Sequence, residues 1–274
     1  MIYCVWYPSG GFGHFVNSIL NSFGHNFVKP KRQAKVSANG NFHNQDLAAP
    51  TYFHDQKHYQ FDFDCSKNYS VLIDNGINNE NENFRKVFSH AKIIKLCYSD
   101  WSWPVIAKTM IVKAMNSTIE HELPLKSNQW STSDDWAVRE KYFLFLRNHS
   151  LRHSWRPNNQ DCVIFLEDLL DYAKLKNLLP VSVEDFQNHW QLWYQSNYKY
   201  FEPVVLSEKI LQGEYVATTD LWTQAVLYYQ IWCCYGIEVP HNDFPNWFEN
   251  YQQIATMLEN HGVDIDSYKK SHSS

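Results

Sequence analysis

The stretch that most constrains this chain is its beginning, MIYCVWYPSGGFGHFVNSIL. Ile2 to Trp6 is a short apolar run with the character of a strand. Phe15, Val16, Ile19, Leu20 and Phe23 recur at helical spacing. Between the two lie Gly10, Gly11 and Gly13. A strand that feeds a glycine turn and then a helix aims backbone N–H groups at one point, where the helix start adds partial positive charge. That is the chemistry of a phosphate or sulfate cradle. Glycines suit it because a Cβ obstructs the turn or the approach of the anion. The same glycines also describe a tight corner with no ligand. The pattern G-x-x-x-x-G-K-[ST] is absent, which removes the basis for magnesium-dependent nucleotide hydrolysis. G-x-G-x-x-G is absent as well, which argues against a dinucleotide fold.

The rest of the chain repeats the alternation. "YSVLIDNG", residues 69–76, reads as a second strand ending in a turn. "ENENFRKVFSHA" reads as a helix, "KIIKLCYSD" as a third strand and "WPVIAKTMIVKAM" as a helix with Pro104 in its first turn. Strand, helix, strand, helix predicts a parallel sheet with crossovers. Residues 117–274 are expected to be mostly helical, with one further strand near 162–166 that turns at Glu167-Asp168. The stretch "TSDDWAVREKYFLFLRNHSLRHSW" reads as a helix with Thr132, Ser133 or Asp134 as its N-cap. The last helix ends at Gly262, and "SYKKSHSS" reads as a frayed tail. Residues 29–60, rich in Asn, His and Gln, have no clear period. The expectation is one three-layer α/β/α domain over residues 1–274.

With 274 residues and 44% hydrophobic content the chain has material for a sizeable core. A formal net charge of -5 argues against a general nucleic-acid binder. The six cysteines, Cys4, Cys65, Cys97, Cys162, Cys233 and Cys234, show no metal-ligand spacing. They read as free thiols in a reducing compartment. Met1 runs straight into a strand with no cationic leader, and no apolar run approaches the roughly 20 residues that cross a bilayer. The expected location is the cytoplasm, with no membrane partner and no metal.

"VWYPSGGFGHFVNSIL" resembles the 5'-phosphosulfate-binding loop of the P-loop sulfotransferases, through Tyr7, Pro8, Ser9, Gly10 and the later Leu20. "KIIKLCYSDWSWPVIAKTMI" is similar to that family's 3'-phosphate-binding strand and helix, and "CVIFLEDLLDYAKLKNLL" to a later strand that ends in Glu-Asp-Leu. The resemblance implies a sulfotransferase-like fold. It also implies transfer of a sulfuryl group from 3'-phosphoadenosine 5'-phosphosulfate to a hydroxyl on a carbohydrate or small metabolite. Ser9, Gly10, Gly11, Phe12, Gly13 and His14 would hold the donor, with His14 as the base. The family's loop lysine has no counterpart, since Pro8 runs directly into Ser9. Its strand arginine aligns with Tyr98 and its helix serine with Ile106, so Ser99, Lys108 and Thr109 are the nearest substitutes. "GGFGHFVNSI" is also similar to the start of some fucosyltransferases, which implies a nucleotide-diphosphate sugar donor instead. A degenerate member that only binds an anion is a third reading.

Other groups carry chemistry by type. His14, at a helix start, is expected to be neutral and either meets the transferring group or packs there. His43, His54 and His58, with Asp46 and Asp55, are either candidate bases or solvated loop residues. Arg139, Lys141, Arg147, Arg152 and Arg156, with His149 and His153, form the densest basic stretch. Arg139 is the candidate to replace a missing cation; the alternative is a solvated basic face. Glu167 and Asp168, at the strand edge where α/β sheets bind ligands, either act as a base or position the donor or, as the resemblance implies and as expected here, are structural. Trp101, Trp103, Trp190 and Trp193 line an acceptor pocket or pack a helical core.

Overall fold

The computed structural model describes residues 1–8, 10–29, 35–36, 42–43, 64–74, 90–112, 136–150, 162–181, 186–214, 221–238 and 251–263. The chain forms two compact units. The first comprises Met1–Ser99 with Trp155–Tyr198, and the second Asp100–Ser154 with Lys199–Ser274.

The first unit is built on a four-stranded parallel sheet. Its strands are β1 (Ile2–Tyr7), β4 (Tyr69–Asp74), β5 (Lys92–Cys97) and β6 (Cys162–Phe165), in the order β4-β1-β5-β6. Trp6 lies opposite Ile73 on one side and Lys95 on the other, and Cys97 lies opposite Phe165. The continuous apolar runs in the sequence follow from this. Cys4, Val5, Trp6 and Tyr7 are all buried, as a central parallel strand requires. A two-stranded antiparallel ribbon, β2 (Lys35–Val36) and β3 (Phe42–His43), falls in the segment without periodicity. The expected fourth strand stops at Phe165. Leu166 instead opens a 3-10 turn, Leu166–Leu170, followed by helix α4 (Tyr172–Leu178).

Helix α1 (Gly13–Phe23) buries Phe15, Val16, Ile19 and Leu20. It also buries Asn17 and Ser18, and Ser70 Oγ on β4 donates to Asn17 Oδ1. The first turns of α5 (Gln187–Leu211) pack on α1 through aromatic rings. Trp193 stacks on Phe15 at 4.3 Å between centroids, and Phe12 meets Trp193 edge-on at 5.4 Å. Phe23 contacts Phe186 and His189.

The second unit is helical: α2 (Trp103–Val112), α3 (Trp136–Ser150), the turns of α5 from Lys199 onward, α6 (Leu221–Tyr235) and α7 (Tyr251–Asn260). α6 is buried all round from Trp222 to Ile231, and α3 packs against it, with Tyr142 edge-on to Trp222. Trp103 donates its indole N–H to the Leu146 carbonyl. Gly262, at φ 79°, ends α7, and the Val263 N–H reaches back to the Leu258 carbonyl, as anticipated for a glycine terminator. The caps at residues 132–134, residues 80–89 of the expected helix over 80–91, the turn at residues 75–76 and the tail after 263 lie outside the described residues; His90 and Ala91, at the end of that expected helix, are not helical.

Pro203 sits inside α5 and has no N–H to offer the Lys199 carbonyl. Lys108 Nζ on α2 donates to that carbonyl at 3.1 Å. The lysine therefore repairs the bond that the proline removes. Lys108→Met is expected to lower the stability of the second unit by about 1 kcal/mol, the usual worth of one such bond. Chemical denaturation with wild type and Lys108→Met side by side checks this, and equal midpoints refute it.

Candidate functional site

β1 hands the chain to β4 on one side, and β5 hands it to β6 on the other. The carboxyl ends of β1 and β5 therefore flank the point where connections diverge, the usual ligand crevice of an open parallel sheet. The glycine turn sits there. Gly10 adopts φ 84°, and the Gly11 N–H closes back on the Pro8 carbonyl at 2.7 Å. A Cβ on Gly11 would lie 2.8 Å from Pro8 atoms, and one on Gly13 would lie 2.2 Å from the Tyr7 ring. Two of the three glycines are thus required by the packing of the protein itself.

Phe12, in the left-handed region at φ 60°, is the N-cap of α1. Its carbonyl takes the N–H of Phe15 and of Val16. Among the described residues no side chain caps the helix, and no acidic residue lies in its first turn. The start of α1 therefore brings partial positive charge to the carboxyl edge of β1. The His14 ring packs edge-on to Tyr7 at 5.8 Å, and its Nδ1 is shielded from solvent.

Ser99, two residues beyond β5, donates its hydroxyl to Glu167 Oε1 at 2.9 Å. Asp168 is structural, as expected: Oδ2 accepts the Phe165 N–H at 2.8 Å and Oδ1 pairs with Lys174 at 2.6 Å. The structure thus places the turn, Ser99 and Glu167 at one edge of one sheet. Lys108 and Arg139 belong to the second unit. Arg139 lies near Tyr228, whose phenol is pushed well up by burial and only partly drawn back by the guanidinium. Arg147 pairs with Glu238 at 2.5 Å. Ser9, His54, His58, Asp46, Asp55, Arg152, His153 and Arg156 lie outside the described residues, as do the side chains of His43 and His149.

The sequence reading passed over Lys95. It is 3% exposed in β5, level with Trp6, its ammonium 5.9 Å from the Trp6 ring. Lysine is rarely buried so fully without a specific role. The signal was visible as the one charge interrupting IIKLC. Among the described residues no group of three or more His, Cys, Asp or Glu is placed to hold a metal ion. No helix of the described residues is long and apolar enough to cross a membrane. None of the six cysteines is in a disulfide, and burial pushes the Cys233 thiol up to about 12.

Behind the turn, Ser18 donates to the Phe15 carbonyl at 2.7 Å and lies 2.8 Å from His189 Nε2. With its own proton committed to the Phe15 carbonyl, Ser18 accepts from Nε2–H, so the neutral ring is the Nε2–H tautomer. Burial pushes His189 down to about 4 from its ordinary 6.5. The unfolded chain therefore takes up the proton first as pH falls. Stability is full above pH 6.5 and is lost progressively between pH 6.5 and 4, by about 2 kcal/mol after discounting for partial exposure. Denaturant midpoints at pH 7 and pH 5 are expected to differ in wild type and to converge in His189→Gln. An unchanged difference in the variant would assign the slope elsewhere.

The chain matches no family model, no curated protein and no solved structure.

Proposed function

We propose that the turn between β1 and α1 binds the phosphosulfate end of a nucleotide donor in a sulfotransferase-like enzyme of the P-loop, three-layer class. The donor is 3'-phosphoadenosine 5'-phosphosulfate and the acceptor a hydroxyl on a carbohydrate or small metabolite. The observation that carries this reading is the uncapped, acid-free start of α1 at the carboxyl end of β1, beside the point where the sheet's connections diverge. The sequence resemblance of Tyr7 to Leu20 supplies the donor's identity.

In this mechanism the start of α1 stabilises negative charge on the phosphate oxygen as the sulfur–oxygen bond breaks. His14 takes the proton of the acceptor hydroxyl as its oxygen bonds to sulfur. Adenosine 3',5'-bisphosphate and the sulfate ester are the products. A general base contributes typically 10²–10⁴-fold, so His14→Ala is expected to keep donor binding and lose turnover by about that factor.

The test is isothermal titration calorimetry with adenosine 3',5'-bisphosphate. Saturable micromolar binding is expected, lost in Gly11→Val, whose side chain collides with Pro8. Circular dichroism shows whether that variant stays folded. No heat at millimolar ligand would overturn the reading. Heat with a guanosine-diphosphate sugar alone would transfer it to a glycosyltransferase.

A further inference from the structure

Residues 187–198 form the first three turns of α5, and the stretch QNHWQLWYQSNY contains no Asp, Glu, Lys or Arg. One side of this stretch faces solvent, opposite the buried Trp193 and Asn197. Gln187, Gln191, Leu192 and Gln195 are exposed, Leu192 by 54%. In a protein with 19% charged residues, three exposed turns without charge are not the ordinary means of keeping a helix in water.

Two ladders run along this stretch at four-residue spacing. Trp190, Tyr194 and Tyr198, all half-buried, follow one another at 5.0 Å and 5.1 Å between ring centroids. Gln187, Gln191 and Gln195 form the second ladder, toward solvent. The angular steps of an α-helix place it beside the rings. Tyr172 extends the aromatic run below Trp190 at 5.8 Å. Trp190 is held in place by its indole N–H on the Leu169 carbonyl at 2.8 Å. Burial and the neighbouring Tyr198 push the Tyr194 phenol up, so it remains a neutral hydroxyl donor.

We infer that this face of α5 binds a neutral oligosaccharide. Sugar rings combine apolar C–H faces with a high density of hydroxyls. A strip that alternates aromatic surface with amide and phenol groups answers both. The spacing of the rings is comparable to the length of one pyranose unit, so successive sugars meet successive rings. The absence of charge selects an uncharged chain over a sulfated or uronic one. The donor turn shares no residue with this surface, so either reading can fail without the other.

The experiment is calorimetric titration of the full chain with maltohexaose, cellohexaose, xylohexaose and chitohexaose, in parallel with adenosine 3',5'-bisphosphate. At least one hexasaccharide is expected to bind saturably. Tyr194→Ala and Tyr198→Ala are each expected to weaken it at least about fivefold, and Gln191→Ala about threefold. Trp190 is left intact because it also ties α5 to the Leu169 carbonyl. Circular dichroism and the binding of adenosine 3',5'-bisphosphate report whether the variants stay folded. No saturable binding of any hexasaccharide at about 10 mM overturns the inference, as do variants that bind like wild type. Sedimentation equilibrium supplies the last arm: a wild-type dimer that Tyr194→Ala dissociates gives the face to a second copy and overturns the carbohydrate reading.

Discussion

Trp193→Ala lowers the stability of the first unit by about 3–5 kcal/mol, the usual cost of emptying a large aromatic site in a core. Trp193 is 1% exposed and stacks on Phe15 with the planes 8° apart. It also receives the edge contact of Phe12, the residue that caps α1. The substitution therefore opens a cavity and also frees the residue that shapes the turn. The second consequence separates this site from an ordinary core position. Under conditions where the variant is still folded, affinity for adenosine 3',5'-bisphosphate falls as well. Denaturation followed by Phe15-region amide signals, with a parallel titration, checks both effects. A loss of stability below 1 kcal/mol would show that the α1–α5 aromatic contact is not a principal support of the fold.

Gly13→Ala destabilises by about 2 kcal/mol or more, although alanine is the better helix former by about 1 kcal/mol. The new Cβ would stand 2.2 Å from two carbons of the Tyr7 ring, and Tyr7 is itself buried at the end of β1. The ring has no room to swing away, so the strand and the helix start must separate, and overpacking outweighs propensity. Gly262→Ala is the contrast. Nothing lies within 4 Å of its Cβ, and only the positive φ of 79° opposes it, for a cost of about 1 kcal/mol. Thermal unfolding of the two variants is expected to rank Gly13 well above Gly262. The reverse ranking would contradict the close approach of α1 to β1.

Much of the first unit was legible because its signals are local. The apolar runs at Ile2–Trp6, Tyr69–Asp74 and Lys92–Cys97 are continuous because a parallel strand is buried on both faces. Their alternation with helical spacing implied crossovers. Leu166 reads as strand in the sequence because it continues the apolar run CVIFL before Glu167-Asp168. The Asp168 side chain, which reaches back to the Phe165 N–H, starts the 3-10 turn there instead. Periodicity carries no information about such a side-chain bond. The glycines read as room either for the turn or for an anion. A Cβ on Gly11 or Gly13 would meet Pro8 or Tyr7, neighbours that composition does not reveal. The resemblance makes Lys108 a substitute for the family's missing donor-site residues. Its hydrogen-bond partner is the Lys199 carbonyl, 91 positions away and orphaned by Pro203, and the proline inside a helical pattern is the available clue. The pairing of Ser99 with Glu167 depends on strand order, which one sequence does not state.

The central claim is that the open start of α1 receives an anion. The most direct measurement is an amide titration of the ¹⁵N-labelled protein with adenosine 3',5'-bisphosphate. The account predicts saturable shifts confined first to the amides of Phe12, Gly13 and His14, with Ser99 following. An unmoved turn at millimolar ligand, or shifts scattered away from the carboxyl edge of β1 and β5, would contradict it. The glycines would then be a corner shaped only by Pro8 and Tyr7.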